Sequence, residues 1–196
     1  MTESASKIHL PPLALIFDCD GTLADTMPLH YEAWERTMGE HDIPFPEDRF
    51  YSLGGRPSHS IVALLAEEHG KTLDAMAVAE LKEQRFVEQL DRVQAIEPVA
   101  QIAREQFGNM PMAVASGGTR LVVSRILEQL GISQLFNCVV TAEDTEKHKP
   151  EPDVFLFAAQ QLNIAPERCL VYEDADLGVE AARRAGMQCI DIRLCD

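Results

Sequence analysis

Short apolar runs that alternate with helical patterns are the feature that most constrains the fold of this chain. The first run, Leu13 to Phe17, is continuously apolar and suits a central strand that is buried on both faces. Later segments of the same kind are Met112–Ala115, Phe136–Val140, Cys169–Tyr172 and Cys189–Ile192. Between them, apolar residues recur at helical spacing over Leu121–Leu130, Phe155–Leu162 and Val179–Ala185. Strands that alternate with helices predict an α/β fold, with a parallel sheet covered on both sides.

Residues 27–94 depart from this alternation because they contain no convincing strand. Their helix patterns lie near residues 28–39, 57–69 and 73–91. Proline and glycine residues separate these patterns, as expected for connecting loops. We therefore predict a helical cap at 27–94, inserted into a core domain of residues 1–26 and 95–196, with Pro98 marking the return to the core.

Composition narrows the class of partner. The chain has 196 residues and a net charge of −15, which disfavours binding to nucleic acid or to anionic membranes. It has no apolar segment of about 18 residues and no signal-peptide pattern at its beginning, so we expect a cytoplasmic protein. The five cysteines form no metal-ligand pattern, and we expect most of them to be buried free thiols. Any phosphate site must supply its own local positive charge.

An acidic motif, Asp18-Cys19-Asp20-Gly21-Thr22, follows directly after the first apolar run. Residues two apart in an extended segment point the same way, so Asp18 and Asp20 can address one site. Such close carboxylates repel each other unless a cation or a shared proton intervenes, and Mg²⁺ prefers oxygen ligands. Gly21 permits a tight turn and close backbone approach to an anion. A polar turn without chemistry is the alternative interpretation.

Polar residues also follow the later runs, at the strand ends where ligands bind in open parallel sheets. Ser116 and the backbone N–H groups of Gly117 can hold a phosphate oxygen, although an ordinary helix N-cap has the same sequence. Lys149 lies on a loop stiffened by prolines and can neutralise both an aspartate and a phosphate. Glu173 and Asp174 can complete an oxygen shell for Mg²⁺, or they form a plain acidic loop.

These motifs in this order resemble those of the haloacid dehalogenase-like hydrolases, over Leu13 to Leu194. The segments that carry the resemblance are Asp18–Thr26, Lys149–Phe155 and Glu173–Gly178. The resemblance is closest to the branch with a helical cap that includes β-phosphoglucomutase. Within it, the segment from His148 to Leu194 looks most like bacterial phosphatases acting on fructose-1-phosphate and 6-phosphogluconate. It implies a Rossmann-like parallel sheet core with an inserted cap.

The resemblance also implies a division of labour. Asp18 would attack phosphorus and form an aspartyl-phosphate, and Asp20 would act as general acid and then base. The Mg²⁺ ligands would be a carboxylate oxygen of Asp18, the backbone carbonyl of Asp20, and Asp174, with Glu173 as a further ligand or behind the ligands. Ser116 and Lys149 would stabilise the charge of the transferring phosphoryl group.

The cap should determine specificity. By the same resemblance, the substrate-binding residues of the cap would be His30, Trp34, Gly55, Arg56 and Lys82. The phosphoglucomutase pattern carries an arginine three residues after the loop glycine, where this chain has Ser58. That departure weakens the mutase interpretation, because the arginine grips a second phosphate. Trp34 as a core residue and His30 as a partly buried helix residue are the alternatives.

The sequence leaves competing functions. A monomeric sugar-phosphate phosphatase acting on a small phosphorylated metabolite is our first hypothesis, and a hexose-phosphate mutase with the same core is the second. A signalling receiver domain is a third, but its phosphorylated aspartate follows the third strand. Here Ser116 follows the corresponding run, and the segment 27–94 is inserted.

Overall fold

The protein is described by a computed structural model that covers residues 10–54 and 56–195. The strands are β1 (Ala14–Phe17), β2 (Ala24–Asp25), β3 (Gln94–Ala95), β4 (Met112–Ala115), β5 (Cys138–Val140), β6 (Cys169–Glu173) and β7 (Gln188–Asp191). The helices are α1 (Met27–Gly39), α2 (Glu47–Ser52), α3 (Ser58–Glu68), α4 (Ala75–Val87), α5 (Glu97–Gln106), α6 (Arg120–Gln129), α7 (Asp153–Leu162) and α8 (Asp176–Arg184).

The core is a five-stranded parallel sheet in the order β5-β4-β1-β6-β7. The predicted α/β class with a parallel sheet is therefore confirmed. Strand β1 lies at the centre, with β4 on one side and β6 on the other. Because all strands run the same way, their carboxyl ends meet at one edge of the sheet.

Both faces of the sheet are covered, which explains why its strands are apolar throughout. Leu15 and Phe17 of β1 belong to one hydrophobic cluster, together with residues of α5 and α6. Ala14 and Ile16 belong to the opposite cluster, with residues of α7 and α8. Alternate residues of one strand thus anchor the helices on either side, as the twofold periodicity of a strand requires.

Helices α1 to α4 lie between β2 and β3 and have a hydrophobic cluster of their own. Trp34, Phe45 and Phe50 are among its buried members, and α1 and α3 both pack against α4. We call these helices and their loops the cap. Strands β2 and β3 pair antiparallel, Ala24 with Ala95 and Asp25 with Gln94, so a short ribbon joins the two crossings between the sheet and the cap. The division at 27–94 stays a prediction.

Several short elements escaped the sequence patterns. The helix α5 carries Pro98 in its first turn, where proline is tolerated because that N–H has no helical partner. Proline is equally typical of loops, so the sequence pattern does not predict this helix. The helix α2 and the ribbon of β2 and β3 are too short to show a period. The pattern at 73–91 ends earlier than predicted, at Val87.

The cysteines and the long helices both lie within residues 10–54 and 56–195. All five cysteines are free, as expected, but fewer are buried than expected: Cys19 and Cys169 are buried, Cys138 and Cys189 are half-buried, and Cys195 is exposed. In this part of the chain, no helix combines the length and the apolar character that crossing a membrane requires.

Candidate active site

The carboxyl edge of the sheet gathers the polar residues that the sequence singled out. Asp18 follows β1, Ser116 follows β4, and Glu173 ends β6. Lys149 lies in the loop between β5 and α7. Asp18 is only 6% exposed, Ser116 and Glu173 only 1%, so a set of polar groups is buried where an apolar core would otherwise end.

Lys149 is the centre of this cluster. Its ammonium group donates hydrogen bonds to Asp18 Oδ1 at 2.5 Å and to Glu173 Oε1 at 2.7 Å. The ring of Phe155 lies 5.0 Å from Lys149 Nζ and closes off another side of the ammonium group. A lysine with only 10% of its side chain exposed is thereby held in one position by two carboxylates.

Burial and charge pairing act in opposite directions on the pKa values of this cluster. Burial disfavours the ammonium form, but the carboxylates of Asp18 and Glu173 outweigh it and raise the pKa of Lys149. Burial raises the pKa of Asp18, and Glu173, Asp174 and Asp20 add to that rise while Lys149 opposes it. Several carboxylates thus surround one cation, and the ionised form of Asp18 is disfavoured first by burial and then by these neighbouring carboxylates.

Glu173 is fully occupied by protein partners. Besides Lys149, its carboxylate accepts a hydrogen bond from the backbone N–H of Ala175 at 2.7 Å. Its side chain lies directly over Gly178, where an added Cβ atom would come within 1.7 Å of Glu173 Oε1. Gly178 therefore leaves the space that Glu173 fills. This arrangement orients Glu173 towards Lys149; its predicted role as a metal ligand stays a prediction.

Asp174 lies over the turn that follows β1. Thr22 Oγ1 donates a hydrogen bond to Asp174 Oδ1 at 2.9 Å. An added Cβ atom on Gly21, whose φ is +82°, would lie 2.2 Å from Asp174 Oδ2. Gly21 is thus required both by its left-handed backbone and by the space Asp174 needs. Burial, together with repulsion from Glu173, raises the pKa of Asp174 to about 6.

The donor set fits a divalent cation. Asp18, Glu173 and Asp174 place several carboxylates near the single ammonium group of Lys149, and hard oxygen ligands are what Mg²⁺ prefers. Within the described ranges, no three His, Cys, Asp or Glu side chains are already gathered as a preformed metal cluster. That a cation here would be held by the backbone carbonyl of Asp20 and the side chains of Asp18 and Asp174 stays a prediction.

Asp20 points away from Lys149, towards the cap. Its Oδ1 accepts a hydrogen bond from Thr26 Oγ1 at 2.9 Å and lies 3.5 Å from His30 Nε2. Burial acts to raise the pKa of Asp20, but the hydrogen bonds from His30 and Thr26, with the charge of Lys82, lower it below the ordinary value. Asp18 and Asp20 therefore have different environments although only Cys19 separates them. Cys19 itself is buried in the hydrophobic cluster, as its position between them predicts.

Ser116 is held at the end of β4. Its hydroxyl accepts a hydrogen bond from the backbone N–H of Gly118 at 3.0 Å. An added Cβ atom on Gly118 would lie 3.3 Å from Ser116 Oγ and 3.4 Å from Asp20 Oδ2, so this glycine lies close to both. Gly117 has open space around it, and its predicted contact with phosphate stays a prediction.

His30 joins the core to the cap. Its ring stacks on Phe86 with centroids 3.7 Å apart, and Lys82 Nζ lies 2.8 Å from His30 Nδ1. Because an ammonium group only donates, Nδ1 must accept, and the proton of the neutral ring is then on Nε2, facing Asp20. Burial and the charge of Lys82 lower the pKa of His30, which favours this neutral form.

Lys82 is a buried cation of the cap, with 3% of its side chain exposed. Its Nζ donates to Glu83 Oε1 at 3.1 Å, and Glu83 Oε1 also accepts from Ser58 Oγ at 2.7 Å. The rings of Trp34 and Phe86 lie 5.3 and 5.5 Å from Lys82 Nζ. Burial lowers the pKa of Lys82, and Glu83 only partly opposes that shift.

The other cap residues predicted to bind substrate lie in different environments. Trp34 is 2% exposed and packs edge-on against Phe45 in the hydrophobic cluster of the cap, with only Lys82 linking it to the site. Arg56 is exposed, and its guanidinium has no hydrogen-bond or ion-pair partner among the described residues. Gly55 lies outside the described residues. Substrate contact by each of them stays a prediction.

Some site residues were not assigned a role from the sequence. Thr22 and Thr26 lie inside the acidic motif but carry no charge, and nothing in the pattern distinguishes Gly118 from its neighbour Gly117. Glu83 and Ser58 are far apart in the sequence and belong to different helices, so only the packing of α3 against α4 brings them together.

Comparison with known proteins shows which family the chain resembles throughout its length. A family model described as haloacid dehalogenase-like hydrolase matches residues 15–192. Fructose-1-phosphate phosphatase YqaB from Escherichia coli K12 is 37% identical over 181 residues, which are 92% of this chain and 96% of that protein. Beta-phosphoglucomutase from Bacillus subtilis is 28% identical over 186 residues, 91% of this chain and 82% of that protein.

A solved structure shows the same fold. The crystal structure of beta-phosphoglucomutase from Clostridium difficile superposes with a TM-score of 0.81 at 26% identity. The match covers 91% of this chain and 83% of that one, so it extends over the cap as well as the sheet.

Proposed function

Because this chain belongs to the haloacid dehalogenase-like hydrolase family, we propose that it is a Mg²⁺-dependent phosphatase that hydrolyses small sugar phosphates, such as fructose-1-phosphate, through an aspartyl-phosphate on Asp18. The observation that carries the proposal is the cluster at the carboxyl edge of the sheet, where Lys149 lies 2.5 Å from Asp18 Oδ1. The relative named a fructose-1-phosphate phosphatase supports the substrate class.

The first half of the reaction is a displacement at phosphorus. A carboxylate oxygen of Asp18 forms the new bond to phosphorus as the bond to the sugar oxygen breaks, leaving the phosphoryl group on Asp18. Asp20, as the carboxylic acid, gives its proton to the departing sugar oxygen. The ammonium group of Lys149, the hydroxyl of Ser116 and the backbone N–H groups after it stabilise the charge on the phosphoryl oxygens.

The second half returns the enzyme to its starting state. Asp20, now a carboxylate, takes a proton from water, and the water oxygen bonds to phosphorus as the bond to Asp18 breaks. Inorganic phosphate leaves, and Asp20 again carries the proton. Hydrogen bonds from His30 and Thr26 stabilise the charged form of Asp20 and lower its pKa, so the negative charge of the bound substrate phosphate has to favour the protonated form that the first half needs.

We propose Asp18, the Asp20 carbonyl and Asp174 as the groups that hold Mg²⁺, with Glu173 positioning Lys149. Bound there, the cation would neutralise phosphate charge and relieve the repulsion between carboxylates. Burial is the main cause of the raised pKa values of Asp18 and Asp174, and neighbouring carboxylates add to both; that added repulsion is what a bound cation would relieve.

A hexose-phosphate mutase is the second candidate, favoured by the likeness to beta-phosphoglucomutases in sequence and fold. Both activities use the same aspartyl-phosphate and differ in whether water or a sugar hydroxyl accepts the phosphoryl group. Ser58, where the mutase pattern has an arginine, argues for the phosphatase.

Phosphate release from a panel of phosphorylated metabolites, including fructose-1-phosphate, measured with and without Mg²⁺, tests the proposal. The same samples should be assayed for interconversion of glucose phosphates. Fast interconversion with negligible phosphate release would overturn the phosphatase in favour of the mutase. Trapping with beryllium fluoride and Mg²⁺ should place the fluoride complex on Asp18.

The cellular setting is also a proposal. A monomer in the cytoplasm that acts on small metabolites, and binds neither nucleic acid nor membranes, agrees with the net charge of −15.

A further inference from the structure

Glu83 is the one carboxylate of the cap helices that is tied directly to Lys82. Ser58 Oγ and Lys82 Nζ both donate their hydrogen bonds to the same oxygen of Glu83, Oε1. Oε2 has no partner among residues 10–54 and 56–195, and 41% of the Glu83 side chain is exposed. The carboxylate is therefore anchored on one oxygen and presents the other to solvent.

Glu83 is also connected to the site. It is linked to Asp20 through two side chains, since Lys82 Nζ lies 2.8 Å from His30 Nδ1 and His30 Nε2 lies 3.5 Å from Asp20. A substrate whose phosphate sits between Asp18 and Lys149, and whose leaving oxygen meets Asp20, would extend from Asp20 towards the cap. The far end of the substrate would then meet Lys82 and Glu83.

We propose that Glu83 is a specificity-determining residue that admits a neutral, hydroxyl-bearing end of the substrate and rejects a second phosphate there. This inference rests on the proposed phosphatase function and narrows its substrate class to monophosphates. The free oxygen of Glu83 accepts hydrogen bonds from sugar hydroxyls, which a phosphate dianion cannot donate.

The charge balance of the cap supports this role. Lys82 alone would attract a second phosphate, but Glu83 at 3.1 Å cancels its charge. Burial works to raise the pKa of Glu83, yet Lys82 and Ser58 hold it below the ordinary value, so Glu83 stays charged at neutral pH. Ser58 thus stands where the mutase pattern has a phosphate-binding arginine, and it holds a carboxylate instead.

Arg56 is the rival to this interpretation. It is exposed, and it precedes Ser58 by two positions, so its guanidinium could reach a second phosphate. If Arg56 dominates, the protein prefers bisphosphates and Arg56→Gln removes that preference. If Glu83 dominates, the protein prefers monophosphates and Glu83→Gln weakens that preference.

Binding of fructose-1-phosphate and of fructose-1,6-bisphosphate, measured calorimetrically with Mg²⁺, separates the two. The Asp18→Asn background prevents turnover, and Glu83→Gln is added to it, because glutamine keeps an acceptor for Ser58 and Lys82. Glu80→Gln is the matched control, since Glu80 is exposed on the same helix. Glu83→Ala, which removes charge and acceptor together, is a second variant.

We expect the parent to bind the monophosphate more tightly, and Glu83→Gln to reduce that preference about tenfold, mostly by tighter binding of the bisphosphate. Glu83→Ala should reduce it similarly, and Glu80→Gln should leave it unchanged. An unchanged ratio in both Glu83 variants, an equal change in Glu80→Gln, an inherent preference for the bisphosphate, or no binding of either sugar would overturn the inference.

Phosphate release by the wild-type enzyme keeps this test separate from that of the proposed function. Release from fructose-1-phosphate with an unchanged binding ratio overturns only the role of Glu83. A ratio that changes as expected, with no phosphate released from any monophosphate, supports the role of Glu83 in selecting ligands and overturns only the phosphatase.

Discussion

Two buried lysines, Lys149 in the core and Lys82 in the cap, lie in contrasting surroundings. Lys149 contacts two carboxylates that are themselves buried, and its pKa is raised. Lys82 contacts a neutral histidine and a half-exposed glutamate, and its pKa is lowered. The first lysine is locked into one charge state and one position. The second is less firmly paired, so its influence depends on what else binds beside it.

This difference suits Lys149 to a role in the reaction itself and Lys82 to a role in selecting the substrate. A group that must stabilise charge on every transferred phosphoryl group benefits from a fixed position, because preorganised charge needs no rearrangement during the reaction. In our proposal, selection between substrates depends on the net charge of the Lys82–Glu83 pair. A bound ligand changes how strongly these two side chains interact. The following predictions test this contrast, beginning with the largest effect.

Replacing Asp18 by Asn should have the largest effect on activity. The proposed nucleophile is lost, so we expect phosphate release to fall by about a thousandfold or more. The fold should persist, because the amide removes a carboxylate whose charge is already disfavoured by burial. Initial rates and a thermal melt of the same sample check both statements. Retained turnover would show that Asp18 is not the nucleophile.

Lys149→Met should combine a loss of activity with a loss of stability. It leaves the buried carboxylates of Asp18 and Glu173 without their cation, and such unpaired charges cost about 3 kcal/mol or more. Urea unfolding measures the change, and the exposed Lys147→Met in the same loop is the control. Equal stability of the two variants would show that Lys149 does not hold the core cluster together.

Asp174→Asn should reduce the stabilisation of the protein by Mg²⁺. In the wild type we expect millimolar Mg²⁺ to raise the melting temperature, because a bound cation stabilises the native state and relieves carboxylate repulsion. In Asp174→Asn that rise should shrink by at least half. Asp91→Asn, an exposed change of the same charge, should keep it. A full Mg²⁺ response in Asp174→Asn would argue that the cation binds elsewhere.

Lys82→Met should lower activity by only about tenfold, much less than Lys149→Met, because Lys82 contacts His30 and, as we propose, the substrate, rather than the proposed nucleophile. Stability should change little, since removing a desolvated ammonium offsets the loss of its partner Glu83. Steady-state kinetics and melting of Lys82→Met beside Lys71→Met provide the comparison. A large destabilisation would mean that the two lysines are equivalent structural anchors.

Glu83 predicts a small dependence of stability on acid. Its pKa is lowered in the folded protein, so the unfolded chain takes up this proton first as pH falls. The stability that it contributes is present above the ordinary glutamate pKa and is lost below it. The stability gap between wild type and Glu83→Gln should therefore narrow from pH 5 to pH 3, by less than about 1 kcal/mol because the side chain is half-exposed. A gap that widened would contradict the assignment.

Much of the core could be predicted from the sequence. The apolar runs place the five strands of the sheet to within about two residues at their ends. Parallel strands present their carboxyl ends together, so the residues that follow those runs, Asp18, Ser116 and Glu173, already indicate a shared site. The helix α5 was missed because Pro98 in a first turn has the same pattern as a loop.

Only the tertiary structure decided which residues far apart in the sequence contact each other. Lys149 could be proposed as a cation of the site, but not that it bridges Asp18 and Glu173, nor that Gly178 makes room for Glu173. The cap shows this most clearly, because nothing local joins Ser58 to Glu83. Periodicity specifies which face of a strand or helix is buried, whereas a hydrogen bond between elements depends on how those faces pack. The acidic motif after the first strand was therefore visible in the sequence, and the charge balance around Lys82 was not.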